Sequence, residues 1–134
     1  MTRSRFHAFL VVGYEAVMSF VLGLPRFGLA LEIKSLFLRA VGARVGKRVV
    51  IYPGVWIAPG RNLVLGDDVD LAKDVLITTS GGVTIGSRSL IGYGAKILSA
   101  NHVIPKNRGR IFGSGHVVAK VEIGADVWIG AGVV

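Results

Sequence analysis

The chain has 134 residues, of which 51% are hydrophobic and 18% charged: one domain's worth of sequence, and too apolar for disorder. Nineteen glycines argue against a long-helix protein, and the lack of cysteine excludes a disulfide framework, a cysteine-rich zinc site and a thiolate nucleophile. The net charge of +8 invites a nucleic-acid reading, but the cations flank apolar stretches instead of interleaving with stacking aromatics, so no nucleic-acid partner is expected.

Residues 1–44 carry Arg3, Arg5, Arg26, Lys34, Arg39 and Arg44 against Glu15 and Glu32, half of the net charge in a third of the chain. From Ala8 to Leu24 the sequence is apolar on nearly every side and reads as a helix ended by Pro25. It is shorter than the ~20 residues that cross a bilayer, and Glu15 near its middle costs on the order of 3 kcal/mol there, so spanning is disfavoured. Arg3 and Arg5 ahead of an apolar run, with Gly28 and Ala30 after it, also fit a secretory signal whose apolar region is long and charged. From Leu29 to Val41 an amphipathic helix is predicted. Its apolar face is Ile33, Leu36, Phe37, Ala40 and Val41, its other face Glu32, Lys34, Ser35 and Arg39, and Gly42 follows as its terminating glycine. The segment 1–44 is expected to cap the domain that follows and, on a sharper reading, to dock it through residues 1–41 on the inner face of a membrane.

From Val45 the chain repeats. Val45-Gly46, Leu65-Gly66 and Ile85-Gly86 recur every 20 residues, and aliphatics step by six within each unit: Ile51 and Ile57, Leu71 and Ile77, Ile91 and Ile97. Ile123-Gly124 and Ile129-Gly130 resume the pattern. No helix has a period of six. Three short strands per turn, each pointing one aliphatic inward, make a coil of a parallel β-solenoid, and about four coils fit into 45–134. The N-terminal end has the amphipathic helix to protect it. The pattern stops in mid-coil at Val133-Val134, which reads as a chain cut short or an edge covered by something else.

This [LIV]-G-x4 pattern resembles the hexapeptide-repeat acyltransferases, whose fold is a left-handed parallel β-helix. The resemblance is sharpened by Ser99-Ala100-Asn101-His102-Val103-Ile104-Pro105, which interrupts the coils, and by Ile123 to Val134, which restarts them around Asp126-Val127-Trp128-Ile129-Gly130. Their order and separation are similar to those of the sugar O-acetyltransferases, including members that decorate bacterial polysaccharides, and Phe37 to Gly46 resembles the approach to the β-helix in the latter. The resemblance implies an all-β solenoid of about four coils with one extruded loop at about 103–118. It also implies acetyl-CoA as co-substrate, a sugar or glycan acceptor, a cytoplasmic homotrimer and no metal.

Acetyl transfer from a thioester to a hydroxyl needs a base that works near neutral pH, and His102, at the start of the loop, matches the family's catalytic histidine. No nucleophilic serine is needed, because the acceptor attacks directly; Ser99 is structural or lines the acceptor. The family places a backbone N–H for the oxyanion just after Trp-Ile-Gly, which falls on Ala131, and Trp128 with Gly130 corresponds to the residues beside the pantetheine arm. Where simple sugar acetyltransferases hold the acceptor with an asparagine one coil earlier, this chain has Ala72, so Asp74 and Asn101 are the polar candidates. Lys106, Arg108 and Arg110 make the loop basic, and His7 and His116 have no partner legible in the sequence.

Two other readings compete. A truncated β-helix could serve as a non-catalytic assembly module, and a γ-type carbonic anhydrase could share the solenoid. The latter needs three zinc-bound histidines, and only His102 and His116 lie in the repeat region.

Overall fold

The computed structural model describes residues 3–134. Two helices, α1 (Arg3–Leu22) and α2 (Gly28–Ala40), precede the repeat. The sequence pattern placed the first helix from Ala8 to Leu24; it starts earlier and ends slightly sooner. The predicted end of α2 is met: the Gly42 N–H (φ 104°) donates to Arg39 O and the Ala43 N–H to Leu38 O, the paired bonds of a Schellman stop. Ala43 and Leu38 are both buried, which supplies the apolar contact that accompanies this motif.

The solenoid follows at once. Strands β1 (Arg44–Val45), β2 (Val50–Ile51) and β3 (Trp56–Ala58) form the first coil. The second is β4 (Leu63–Leu65), β5 (Asp70–Leu71) and β6 (Leu76–Thr78), and the third β7 (Val83–Ile85), β8 (Leu90–Ile91) and β9 (Lys96–Leu98). After an excursion, β12 (Val121–Ile123) and β13 (Trp128–Ile129) stack on the third coil as two sides of a fourth. The sheets run β1-β4-β7-β12, β2-β5-β8-β13 and β3-β6-β9, all parallel.

The register is the one the hexad spacing dictates. Val45, Leu65, Ile85 and Ile123 stack in one column, Ile51, Leu71, Ile91 and Ile129 in a second, and Ile57, Ile77 and Ile97 in a third. Most of these side chains are buried, each removing apolar surface worth about 2 kcal/mol from water. Buried Ser89 interrupts the aliphatics with a polar bridge: its hydroxyl donates to Gly124 O and accepts the Val127 N–H. Corners demand left-handed backbone. The corner after the second strand of each coil carries Gly54, Asp74, Gly94 and Gly132, all at positive φ, so Asp74 occupies a position that other coils give to glycine.

The excursion between the third and fourth coils is a hairpin. β10 (Ala100–His102) pairs antiparallel with β11 (His116–Val118), and Lys106–Arg108 form a 3-10 turn in the connection. The loop expected at about 103–118 therefore begins as a paired ribbon. Its base closes by the Ala119 N–H donating to Ser99 O at 2.9 Å, and Gly81 faces that closure: a Cβ there would lie 2.4 Å from Ser99 O and 2.6 Å from Ala119 O.

One expectation is overturned. Lys34 and Ser35, assigned to the outer face of α2, are buried together with Ala30 and Leu38, while Ile33 and Leu36, assigned inward, are exposed. The reason is the surface that α2 covers. The first coil has no preceding coil to donate to its carbonyls, whereas Leu65 O and Leu71 O in the second accept the Gly46 and Tyr52 N–H groups. Side chains of the helices stand in. Arg39 donates to Val45 O from Nη2 at 2.9 Å, Lys34 Nζ to Ile51 O at 2.7 Å, and the Tyr14 hydroxyl to Ile57 O at 2.7 Å. Each side of the first coil thus receives one donor side chain, at acceptors (Val45, Ile51 and Ile57) spaced six residues apart along the chain.

Candidate active site

β10 and β11 bring together two residues that lie far apart in sequence. His102 and His116 are cross-strand partners in the antiparallel register, and their rings are 4.5 Å apart and tilted by 39°. The Asn101 side chain folds back onto this strand, its Oδ1 accepting the His102 N–H at 2.9 Å. On the far side of His102 the hairpin is held by the Val103 N–H to Gly115 O and by the Ser114 hydroxyl to Val103 O. The imidazole therefore stands on a braced ribbon rather than a loose loop, as an acid–base group requires.

The two histidines open onto a groove of about 960 Å³ between the hairpin, the third side of the solenoid and α1. The solenoid contributes Pro59, Arg61, Thr78 and Ser80, and α1 contributes His7, Leu10, Val11, Tyr14 and Glu15. All three histidines of the chain line this one groove. His116 and His7 were the residues that sequence reasoning left without a role. Nothing in the sequence pairs His116 with His102, because the long connection between the two strands does not fix the register of the hairpin. Among the described residues no group of three His, Asp or Glu side chains is gathered to hold a metal ion.

The other expected residues are placed elsewhere. Ser99 is buried, its hydroxyl donating to Thr78 O at 2.5 Å and accepting the Gly81 N–H at 3.0 Å, which commits it to the wall of the coil. Asp74 sits at its exposed corner in an ion pair with Lys73. Trp128 is 77% exposed on β13, paired in register with Leu90, and Gly130 and Ala131 follow it over Gly92. Trp128, Gly130 and Ala131 do not line the groove that holds His102 and Asn101. Within one chain the structure unites His102, Asn101 and His116 and leaves the expected thioester-binding residues apart.

The two largest displacements of titration are at the helix–coil junction. Burial pushes the Lys34 ammonium down to about 8 and the Tyr14 phenol up to about 12.

Two curated relatives match. Both are named "Putative colanic acid biosynthesis acetyltransferase WcaF", one from Escherichia coli (strain K12) and one from Shigella flexneri. Each is 33% identical over 101 residues, which is 75% of this chain and 56% of the relative, so the chain spans about half the length of the curated relatives it matches. No protein-family model and no solved structure matches significantly. The homology and the six-residue columns of the coils agree: the chain is homologous to WcaF, of the hexapeptide-repeat family, and its stacked parallel sheets are consistent with a left-handed parallel β-helix.

Proposed function

We propose that the chain carries the catalytic β-helix of an acetyl-CoA-dependent O-acetyltransferase acting on a hydroxyl of a sugar or glycan intermediate in polysaccharide biosynthesis. The observation that carries this reading is the braced His102 beside a groove wide enough for a sugar, in a chain homologous to WcaF. In the proposed reaction one ring nitrogen of His102 takes the acceptor hydroxyl's proton as that oxygen attacks the thioester carbonyl. The carbon–sulfur bond then breaks, and the thiolate leaves with the proton returned by the imidazolium. Asn101 beside His102 binds the acceptor, the Ala131 N–H holds the oxyanion, and Trp128 with Gly130 flanks the pantetheine arm.

His102 and the Trp128–Ala131 segment lie on different sides of one solenoid, so a complete site takes His102 from one copy and Trp128 from its neighbour. A homotrimer, working in the cytoplasm, supplies that geometry. The test is release of coenzyme A thiol from acetyl-CoA against a panel of sugars and nucleotide sugars. Release that His102→Ala abolishes supports the reading; release that His102→Ala leaves unchanged removes the histidine base, and silence across the panel removes the transferase.

A further inference from the structure

Helix α1 has two faces with different neighbours. One face sets Met18 and Leu22 into the core and turns His7 and Glu15 to the groove. The opposite face carries Phe6, Phe9, Val17 and Phe20, which recur at helical spacing along one stripe, with Phe9 68% and Phe20 75% exposed. The apolar surface continues on α2, where Leu29, Ile33 and Leu36 stand outward at i, i+4 and i+7. An exposed apolar surface of this extent on two successive helices marks a contact face.

Charge selects the occupant. Glu15, the one acid of α1, faces the groove, and Lys34 is turned into the core. The exposed charges around the outward stripe are Arg5 in the first turns of α1, Arg26 at the junction of the helices, whose guanidinium stacks 4.1 Å over the Tyr52 ring, and Glu32 on α2; residues 1–44 as a whole carry six cations against two acids. A second copy meeting this face brings two net-positive segments together, whereas an anionic lipid surface complements that charge. Ser4–Leu22 has the length and composition of a membrane span, but Met18, Leu22 and the Tyr14 bond to Ile57 O fasten the helix sideways to the solenoid. Fixed in this way, it lies flat.

We propose that the outer faces of α1 and α2 dock the protein on an anionic bilayer, with α1 in the membrane plane and its aromatic stripe in the boundary between headgroups and acyl chains. The groove with His102 then opens beside the opposite face of the same helix, next to the lipid surface.

The test is flotation of the whole chain with vesicles of phosphatidylcholine alone and of phosphatidylcholine mixed with phosphatidylglycerol. Partition into the anionic vesicles is expected to exceed that into the neutral ones by at least about tenfold at low salt, and to fall as salt rises. Phe9→Ser with Phe20→Ser lowers it at least about tenfold, and Arg5→Glu with Arg26→Glu removes the anionic preference. Circular dichroism and the melting temperature control for folding, and Leu36→Ser on α2 repeats the test should the aromatic pair fail to fold. Absence of partition overturns the proposal. So does a soluble oligomer that dissociates on Phe9→Ser with Phe20→Ser while vesicles leave it intact, because a second copy then covers the face. Binding is read without turnover and with His102→Ala as well as the unaltered chain, so failure of the transferase reading leaves this result standing.

Discussion

Lys34 Nζ donates to the carbonyl oxygen of Ile51 at 2.7 Å, putting an ammonium where the solenoid's own repeat would put a backbone N–H. The next residues of that column show the rule it replaces: Leu71 O accepts the Tyr52 N–H and Ile91 O the Ala72 N–H. A helix laid on the open end of a β-helix must supply donors as well as apolar area, which is why α2 buries a lysine while exposing an isoleucine and a leucine.

Lys34 makes folding stability depend on alkaline pH. Its ammonium titrates at about 8 in the fold against an ordinary value near 10.5, so between those values the unfolded chain holds a proton that the folded chain has released. Stability therefore rises with pH across that window. Tyr14 acts in the opposite sense higher up: its phenol keeps its proton to about 12 in the fold and to about 10 when unfolded, so stability falls as pH climbs between them. Urea midpoints from pH 7.5 to 9.5 are expected to rise in the native chain relative to Lys34→Met, which lacks the slope. Parallel pH profiles would remove Lys34 as the source.

Tyr14→Phe keeps the ring stacked on Phe37, at a centroid distance of 6.1 Å, and deletes only the hydroxyl that reaches Ile57 O. The cost is expected to be about 1–2 kcal/mol, because a half-buried carbonyl loses its donor. Hydrogen exchange is expected to speed up in α1 and at β3, which it covers, and to stay unchanged in the third coil. Uniform acceleration would show that α1 and the coils open as one unit.

Gly92 lies where the third and fourth coils come into close contact. A Cβ at that position would stand 2.7 Å from Ala131 N and 2.8 Å from the Gly130 carbonyl carbon, and backbone atoms cannot move aside as a side-chain tip can. Gly92→Ala is expected to destabilise the chain by about 1–3 kcal/mol and to lower thiol release together with it, since the displaced segment carries the proposed oxyanion donor. Gly94→Ala is the control: nothing lies within 4 Å of its Cβ position, so only the cost of its positive φ remains. Equal losses of thiol release in both variants would break the link between Gly92 and the site.

The solenoid was legible because its signal is periodic: a register error would expose every aliphatic of the column, so Ile51, Leu71, Ile91 and Ile129 had to stack. The face of α2 was not, because Lys34 looks like a solvent residue until the orphaned Ile51 carbonyl beneath it is known. The same repeat held unused information about Asp74. Aligned at twenty residues it falls with Gly54 and Gly94, the signature of a left-handed corner, before any role in acceptor binding needs considering. His116 stayed hidden because the number of residues in an excursion does not fix the pairing of its arms.

His116 gives a way to separate the acid–base role from the positioning role. His102→Ala is expected to lower thiol release by about a hundredfold or more with its acceptor present, as loss of a general base does. His116→Phe retains an aromatic ring at the 4.5 Å contact and should preserve the greater part of the rate, whereas His116→Ala leaves the His102 ring unsupported and lowers it further. A rate lost equally in His116→Phe and His116→Ala would assign proton chemistry to His116 itself.

The separation of His102 from Trp128 within one chain yields the sharpest test of assembly. Trp128 is exposed, so Trp128→Ala should fold normally, and His102→Ala alters only the exposed end of β10. Each variant alone is expected to be nearly inactive. If a site takes His102 from one copy and Trp128 from the next, then unfolding an equimolar mixture and refolding it yields some sites built from the intact residue of each partner. Random assembly of a cyclic trimer makes about a quarter of all sites complete. Thiol release by the mixture should then recover to about a quarter of the native rate, with sedimentation equilibrium confirming three copies. A mixture as inactive as its components would show that each site needs His102 and Trp128 from the same chain, and would overturn a site shared between copies.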